Sequence, residues 1–243
     1  MSDSPRRLHS SWKPDDPAER YDPHTCLLVV DVQNDFADPA GSLYVKGGEE
    51  VVSRVNAETG RALTGGAAVV YTQDWHPQHT PHFAPDGGTW PVHCVRGTWG
   101  AEFHPQLIVR GPVIRKGTNG EDGYSGFMVR DPEGGGMAPT ELDASLAARE
   151  ITRIVVCGLA TDYCVKATAL DGLRLGYETA VLRDAIQAVD LAPGDGERAL
   201  DEIWAAGAVL VGDGRGAAGG KATAGGGADA GGGAILDTDQ AEP

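Results

Sequence analysis

Cys164 stands in Gly158-Leu-Ala-Thr-Asp-Tyr-Cys164, where an apolar run gives way to an amphipathic one. That junction reads as a strand-to-helix turn, with Thr161 or Asp162 as the cap and the thiol in the first helical turn. A helix start supplies a positive dipole end and free N–H groups. These lower a thiol pKa, favour a nucleophilic thiolate and can hold a developing oxyanion. Cys157, inside an apolar run, and Cys26 read instead as packing thiols. A cysteine nucleophile needs a proton acceptor and a partner for charge. Asp31 and Lys116 each close an apolar run and suit those tasks, the carboxylate as acid/base and the ammonium as stabiliser. Taken singly, such an Asp is as readily a turn cap and such a Lys a solvated rim residue.

Four of the seven histidines, His76, His79, His82 and His93, fall within one short stretch that begins Asp74-Trp-His76. Imidazole and carboxylate at this density suit one divalent ion such as Zn, Fe or Mn. Asp74 and His76 lie on one side of an extended segment, and later histidines can fold back to meet them. A polar surface loop with chance histidines is the alternative. Trp75, Phe83, Trp90 and Trp99 lie in or beside the same stretch. Spacing alone does not separate loop packing from the walls of a planar ligand site.

These groups need a scaffold that delivers separate segments to one rim. Apolar runs at 26–31, 67–72, 112–116, 154–158, 178–182 and 208–211 read as strands, with helices at 49–63, 141–149, 162–175 and 197–206 between them. The predicted fold is therefore α/β: one three-layer domain with a mainly parallel, roughly six-stranded sheet and helices on both faces. Ligands bind such sheets outside the carboxyl ends of the strands, where Asp31, Asp74, His76, Lys116 and the 161–164 turn all fall. The domain is expected at 25–211. It follows a flexible extension, 1–24, and precedes a Gly/Ala-rich disordered tail, 212–243, in which half the positions from Gly212 to Gly233 are glycine. Twenty basic against thirty-five acidic residues give a net charge of −15, which argues against nucleic acid and anionic membranes as partners. With no apolar leader or spanning run, a cytoplasmic location is expected.

In combination the motifs resemble nicotinamidases of the isochorismatase-like cysteine hydrolase family. The matching blocks run in order from Val30-Asp-Val-Gln-Asn-Asp-Phe36 through Asp74-Trp-His76, His82-Phe83, Trp90-Pro-Val-His-Cys94, Lys116-Gly117, Asp122-Gly-Tyr-Ser-Gly-Phe127 and Gly158-Leu-Ala-Thr-Asp-Tyr-Cys-Val165 to Ala206-Gly-Ala208. The resemblance implies a catalytic triad of Asp31, Lys116 and Cys164. It also implies an oxyanion hole from the backbone N–H groups of Ala160 and Cys164, with a cis peptide before Ala160. Asp74, His76 and His93 match metal ligands, His82 a fourth ligand in some members, and Phe36, Trp90 and Tyr124 the aromatic side chains around the substrate ring. The implied reaction takes nicotinamide to nicotinate and ammonia through a Cys164 thioester, with pyrazinamide as a second small-molecule amide and homo-oligomerisation left open. A related cysteine amidase acting on another small amide, or a non-catalytic ligand-binding protein of the same fold, are the competing readings.

Overall fold

The computed structural model describes residues 11–131 and 134–212. The first ten residues of the expected extension and the tail beyond Gly212 lie outside the described residues. The six predicted strands form one parallel sheet, in the order β3-β2-β1-β6-β7-β8. They are β1 (Thr25–Val30), β2 (Ala68–Asp74), β3 (Val113–Lys116), β6 (Arg153–Leu159), β7 (Glu178–Gln187) and β8 (Val209–Val211). Two further strands, β4 (Met128–Arg130) and β5 (Met137–Pro139), pair antiparallel in a small separate ribbon.

Side chains alternate between the faces of a strand, so a sheet covered twice must be apolar at every position. In β1, Leu27 and Val29 face one core with Val69, Tyr71, Val155 and Cys157, closed by Val51, Val52 and Val55 of α2 (Gly48–Thr64). Cys26, Leu28 and Val30 face the other, with Val70, Ile154 and Val156. That second face is covered by Leu142 and Leu146 of α3 (Leu142–Ala147), Ala169 of α4 (Lys166–Arg174), and Leu200 and Ile203 of α5 (Asp195–Ala205). The expected three-layer α/β architecture is what the chain adopts.

The strand order reverses direction between β1 and β6, the switch point at which a crevice opens in sheets of this kind. Their backbones meet closely there. Gly158, at φ 110°, lies so near β1 that a Cβ would stand 2.1 Å from the Val30 carbonyl oxygen.

Part of the expected extension is packed. Arg20 and Tyr21 are buried, Arg20 Nη1 lies 2.9 Å from Glu58 Oε2 of α2, and the Tyr21 hydroxyl donates to the same oxygen at 2.8 Å. The polar composition of this segment concealed its docking, because the buried cation is matched by a carboxylate far along the chain. No helix among the described residues is long and apolar enough to cross a membrane.

Candidate active site

The ends of four strands bring Asp31, Asp74, Lys116 and Cys164 together. Asp31 leaves β1 at φ 47°, and its N–H donates to the Thr72 carbonyl at 3.3 Å. Thr72 Oγ1 donates to Asp31 Oδ1 at 2.7 Å, while Lys116 Nζ pairs with Asp31 Oδ2 at 2.9 Å. Lys116 also pairs with Asp74 Oδ1 and reaches Cys164 Sγ at 3.6 Å. All four side chains are buried.

Gln33 ties β1 to β2 just beneath this group. Its Nε2 donates to the carbonyls of Asp74 and Ala101 at 2.7 and 2.9 Å, and its Oε1 accepts from the Asp74 N–H at 2.8 Å.

Burial and charge set the protonation states. Burial would lower the Lys116 pKa, but the two carboxylates beside it hold it well above its ordinary value, so the ammonium persists. Burial would raise Asp74, yet Lys116 and His76 carry it well below the carboxylate range. Asp31 behaves oppositely: burial, reinforced by the charge of Asp74, outweighs Lys116 and raises it.

Cys164 overturns the expectation of a lowered thiol. Burial pushes it well above the ordinary value, and the fields of Asp31 and Asp74 add to that against Lys116 alone. Nor does it begin an α-helix. Residues Thr161–Val165 form a π-helical turn ahead of α4, without a side-chain cap. The expected cap Asp162 instead accepts from the Val189 and Asp190 N–H groups at 3.0 and 2.9 Å, tying this turn to the segment after β7. The Leu159–Ala160 peptide is cis, as the resemblance implied.

One ring nitrogen from each of His76, His82 and His93 lies within 4.8 Å of the others, and all three side chains are buried. Both ring nitrogens of His76 are buried without a hydrogen-bond partner, a costly arrangement that an ion on the lone-pair nitrogen would relieve at one of the two. His93 Nδ1 is 2.7 Å from the Pro91 carbonyl and His82 Nδ1 is 2.7 Å from Asp122 Oδ1. Those acceptors require the proton on Nδ1 and leave Nε2 as the lone-pair nitrogen in both rings. Asp74 Oδ2 stands 3.8 Å from His76 Nε2. This donor set fits a divalent metal ion. His82 joins the cluster fully, whereas His79 is turned outward onto Asp86 with 79% of its side chain exposed.

Beside the histidines and the thiol lies a narrow crevice, partly open to solvent. The expected Phe36, Trp90 and Tyr124 line it, with Ala160, His82 and His93. Trp90 Nε1 donates to the Tyr124 hydroxyl at 3.0 Å. Five wall residues were not foreseen: Leu43, Val45, Gly123, Tyr163 and Val189. Tyr163 packs edge-on to Trp90 at 4.9 Å, and only its adjacency to Cys164 hinted at its place. Of the other loop aromatics, Phe83 is fully buried against the histidine cluster, its ring 5.4 Å from those of His76 and His93, whereas Trp75 stacks under Arg115 at 4.0 Å and Trp99 is exposed.

The Isochorismatase domain family matches residues 25–212, and the chain belongs to that family. A nicotinamidase of Escherichia coli is 39% identical over 206 residues, spanning 77% of this chain and 94% of its own. The pyrazinamidase of Pyrococcus horikoshii, solved in complex with zinc, is 41% identical with a TM-score of 0.69, covering 77% of this chain and 98% of that one. PnC1 from L. infantum, solved in complex with nicotinate, is 36% identical with the same TM-score of 0.69, covering 77% and 91%.

Proposed function

We propose that this chain is a nicotinamidase that hydrolyses nicotinamide to nicotinate and ammonia, and takes pyrazinamide as a second substrate. One observation carries the reading: a buried Asp31, Lys116 and Cys164 group and a three-histidine cluster border the same aromatic-walled crevice. The nicotinamidase and pyrazinamidase relatives support the amide as substrate.

Burial raises both groups, so Cys164 keeps its proton more firmly than a free thiol and Asp31 takes one up more readily than a free carboxylate. Asp31 removes that proton as Sγ attacks the carboxamide carbon, and the backbone N–H groups of Ala160 and Cys164 hold the oxyanion. The adduct collapses as Asp31 returns the proton to the departing nitrogen, releasing ammonia and leaving a Cys164 thioester. Water then attacks the thioester with Asp31 taking its proton, and the acid leaves as the thiol is restored. Lys116 remains cationic throughout and holds Asp31 and Asp74 in place.

Asp74, His76, His82 and His93 would hold the metal ion, Zn, Fe or Mn. When bound, it supplies a Lewis-acid site for a ring nitrogen of the substrate. Phe36, Trp90 and Tyr124 would flank the ring.

Ammonia release from nicotinamide, set against pyrazinamide and a panel of small aliphatic amides, tests the proposal. Turnover of the two ring amides well above the rest is expected. Preference for an aliphatic amide, or no turnover of any amide by metal-loaded protein, would overturn it.

A further inference from the structure

Asp122 has no place in the chemistry above, yet it holds His82 and directly precedes two residues that line the crevice. Its Oδ1 lies 2.7 Å from His82 Nδ1 and accepts from the Gly123 N–H at 2.8 Å. Its Oδ2 accepts from Arg130 Nη2 at 2.5 Å. The backbone adds an antiparallel bridge to Arg130, with the Asp122 N–H donating to the Arg130 carbonyl at 2.8 Å. Gly123 and Tyr124, the next two residues, line the crevice.

We propose that Asp122 is a positioning residue that fixes the tautomer and ring orientation of His82 for metal binding while holding the Gly123–Tyr124 wall. The proposal rests on the metal site described above. A carboxylate accepting from Nδ1–H leaves Nε2 as the electron-pair donor to an ion and fixes the plane of the ring. Loss of such a partner typically weakens metal affinity 10–100-fold. His82 needs this help more than its neighbours. It is borne on the loop after β2, whereas His76 follows that strand directly and His93 is oriented by a backbone carbonyl that no substitution removes.

Zn²⁺ affinity of the full chain, measured by competition with a chromophoric chelator, tests this. Asp122→Ala is expected to bind zinc about 10–100-fold more weakly than wild type. Asp122→Asn keeps an acceptor oxygen for Nδ1–H and is expected to recover most of that loss. Arg130→Ala, which removes the other partner of the same carboxylate, is expected to stay within about threefold of wild type on zinc. Under saturating zinc, Asp122→Ala should regain kcat within about threefold but keep a raised KM for nicotinamide, the mark of a loosened wall. Wild-type affinity in Asp122→Ala, or an equal loss in Arg130→Ala, would overturn the positioning role while leaving the metal site standing. Wild-type protein that binds no zinc at all would overturn both.

Discussion

The two polar clusters bordering the crevice are built on different principles. Asp31, Asp74, Lys116 and Cys164 sit at the ends of four strands and satisfy one another: each carboxylate meets the ammonium, and the thiol lies against it. The histidine cluster is carried partly by a loop and is incomplete on its own terms, with both ring nitrogens of His76 lacking a partner. The first cluster is closed by charge within the protein; the second offers donors that suit a divalent ion. Removing a member should therefore damage the two in different ways.

The largest effect is expected at the thiol. Cys164→Ala should lower nicotinamide turnover by about 10⁴-fold or more while the urea midpoint moves little, since a small buried group is replaced by another. Residual activity within about tenfold of wild type would remove Cys164 from the reaction.

Lys116→Met should abolish activity as well, but at a cost to the fold. Asp31 and Asp74 lose the cation that both contact, and breaking a buried pair in this way typically costs about 3–5 kcal/mol. Equilibrium urea unfolding of metal-free protein gives the value. A Lys116→Met protein as stable as wild type would erase the contrast between the clusters.

His76→Ala and His93→Ala should lose bound metal and turnover, yet leave the metal-free protein close to wild-type stability. His79→Ala is the control, because its ring faces outward onto Asp86. Metal content after dialysis decides the matter: a His79 variant as depleted as the His76 variant would break the ligand assignment.

The smallest effect is a pH dependence. Burial pushes the His93 imidazole down to about 4 from 6.5, so between those values the unfolded chain binds a proton that the native one refuses. Stability of metal-free protein should thus be fully present above pH 6.5 and fall as the pH drops towards 4, by about 1–3 kcal/mol. Urea midpoints at pH 7.5, 5.5 and 4.5 give the slope, and His93→Asn should flatten it; an unchanged slope would assign the effect elsewhere.

What the sequence made legible follows the same division. Strands apolar on both faces announce a doubly covered sheet, and a polar residue closing such a strand must emerge at its rim, so Asp31 could be placed by local pattern alone, whereas Lys116 closes a weaker run that the exposed Arg115 interrupts. Cys164 lines the crevice from a π-helical turn instead of an α-helix start, and its electrostatics escaped the sequence: a thiol at a turn reads as lowered until the carboxylates of Asp31 and Asp74, from distant segments, are known to face it. Leu43, Val45 and Val189 escaped notice because a pocket wall has no period, and their neighbours are chosen by loops that cross between strands. Arg20 falls within the expected extension, and its partner Glu58 is visible only after folding.

Gln33 carries a consequence for motion. Its carboxamide meets the N–H and C=O of Asp74 as a neighbouring strand would, so β2 is paired at its very end by a side chain standing in for backbone. Strand ends ordinarily fray, and their amides exchange with solvent hydrogen early. Here the Asp74 amide should exchange as slowly as those in the middle of the sheet, so that Asp31 and Asp74 move as one body on either side of Lys116. The rim of the crevice then belongs to the rigid part of the molecule, and whatever opens to admit a ligand must be sought in the loops that carry Leu43, Trp90 and Tyr124.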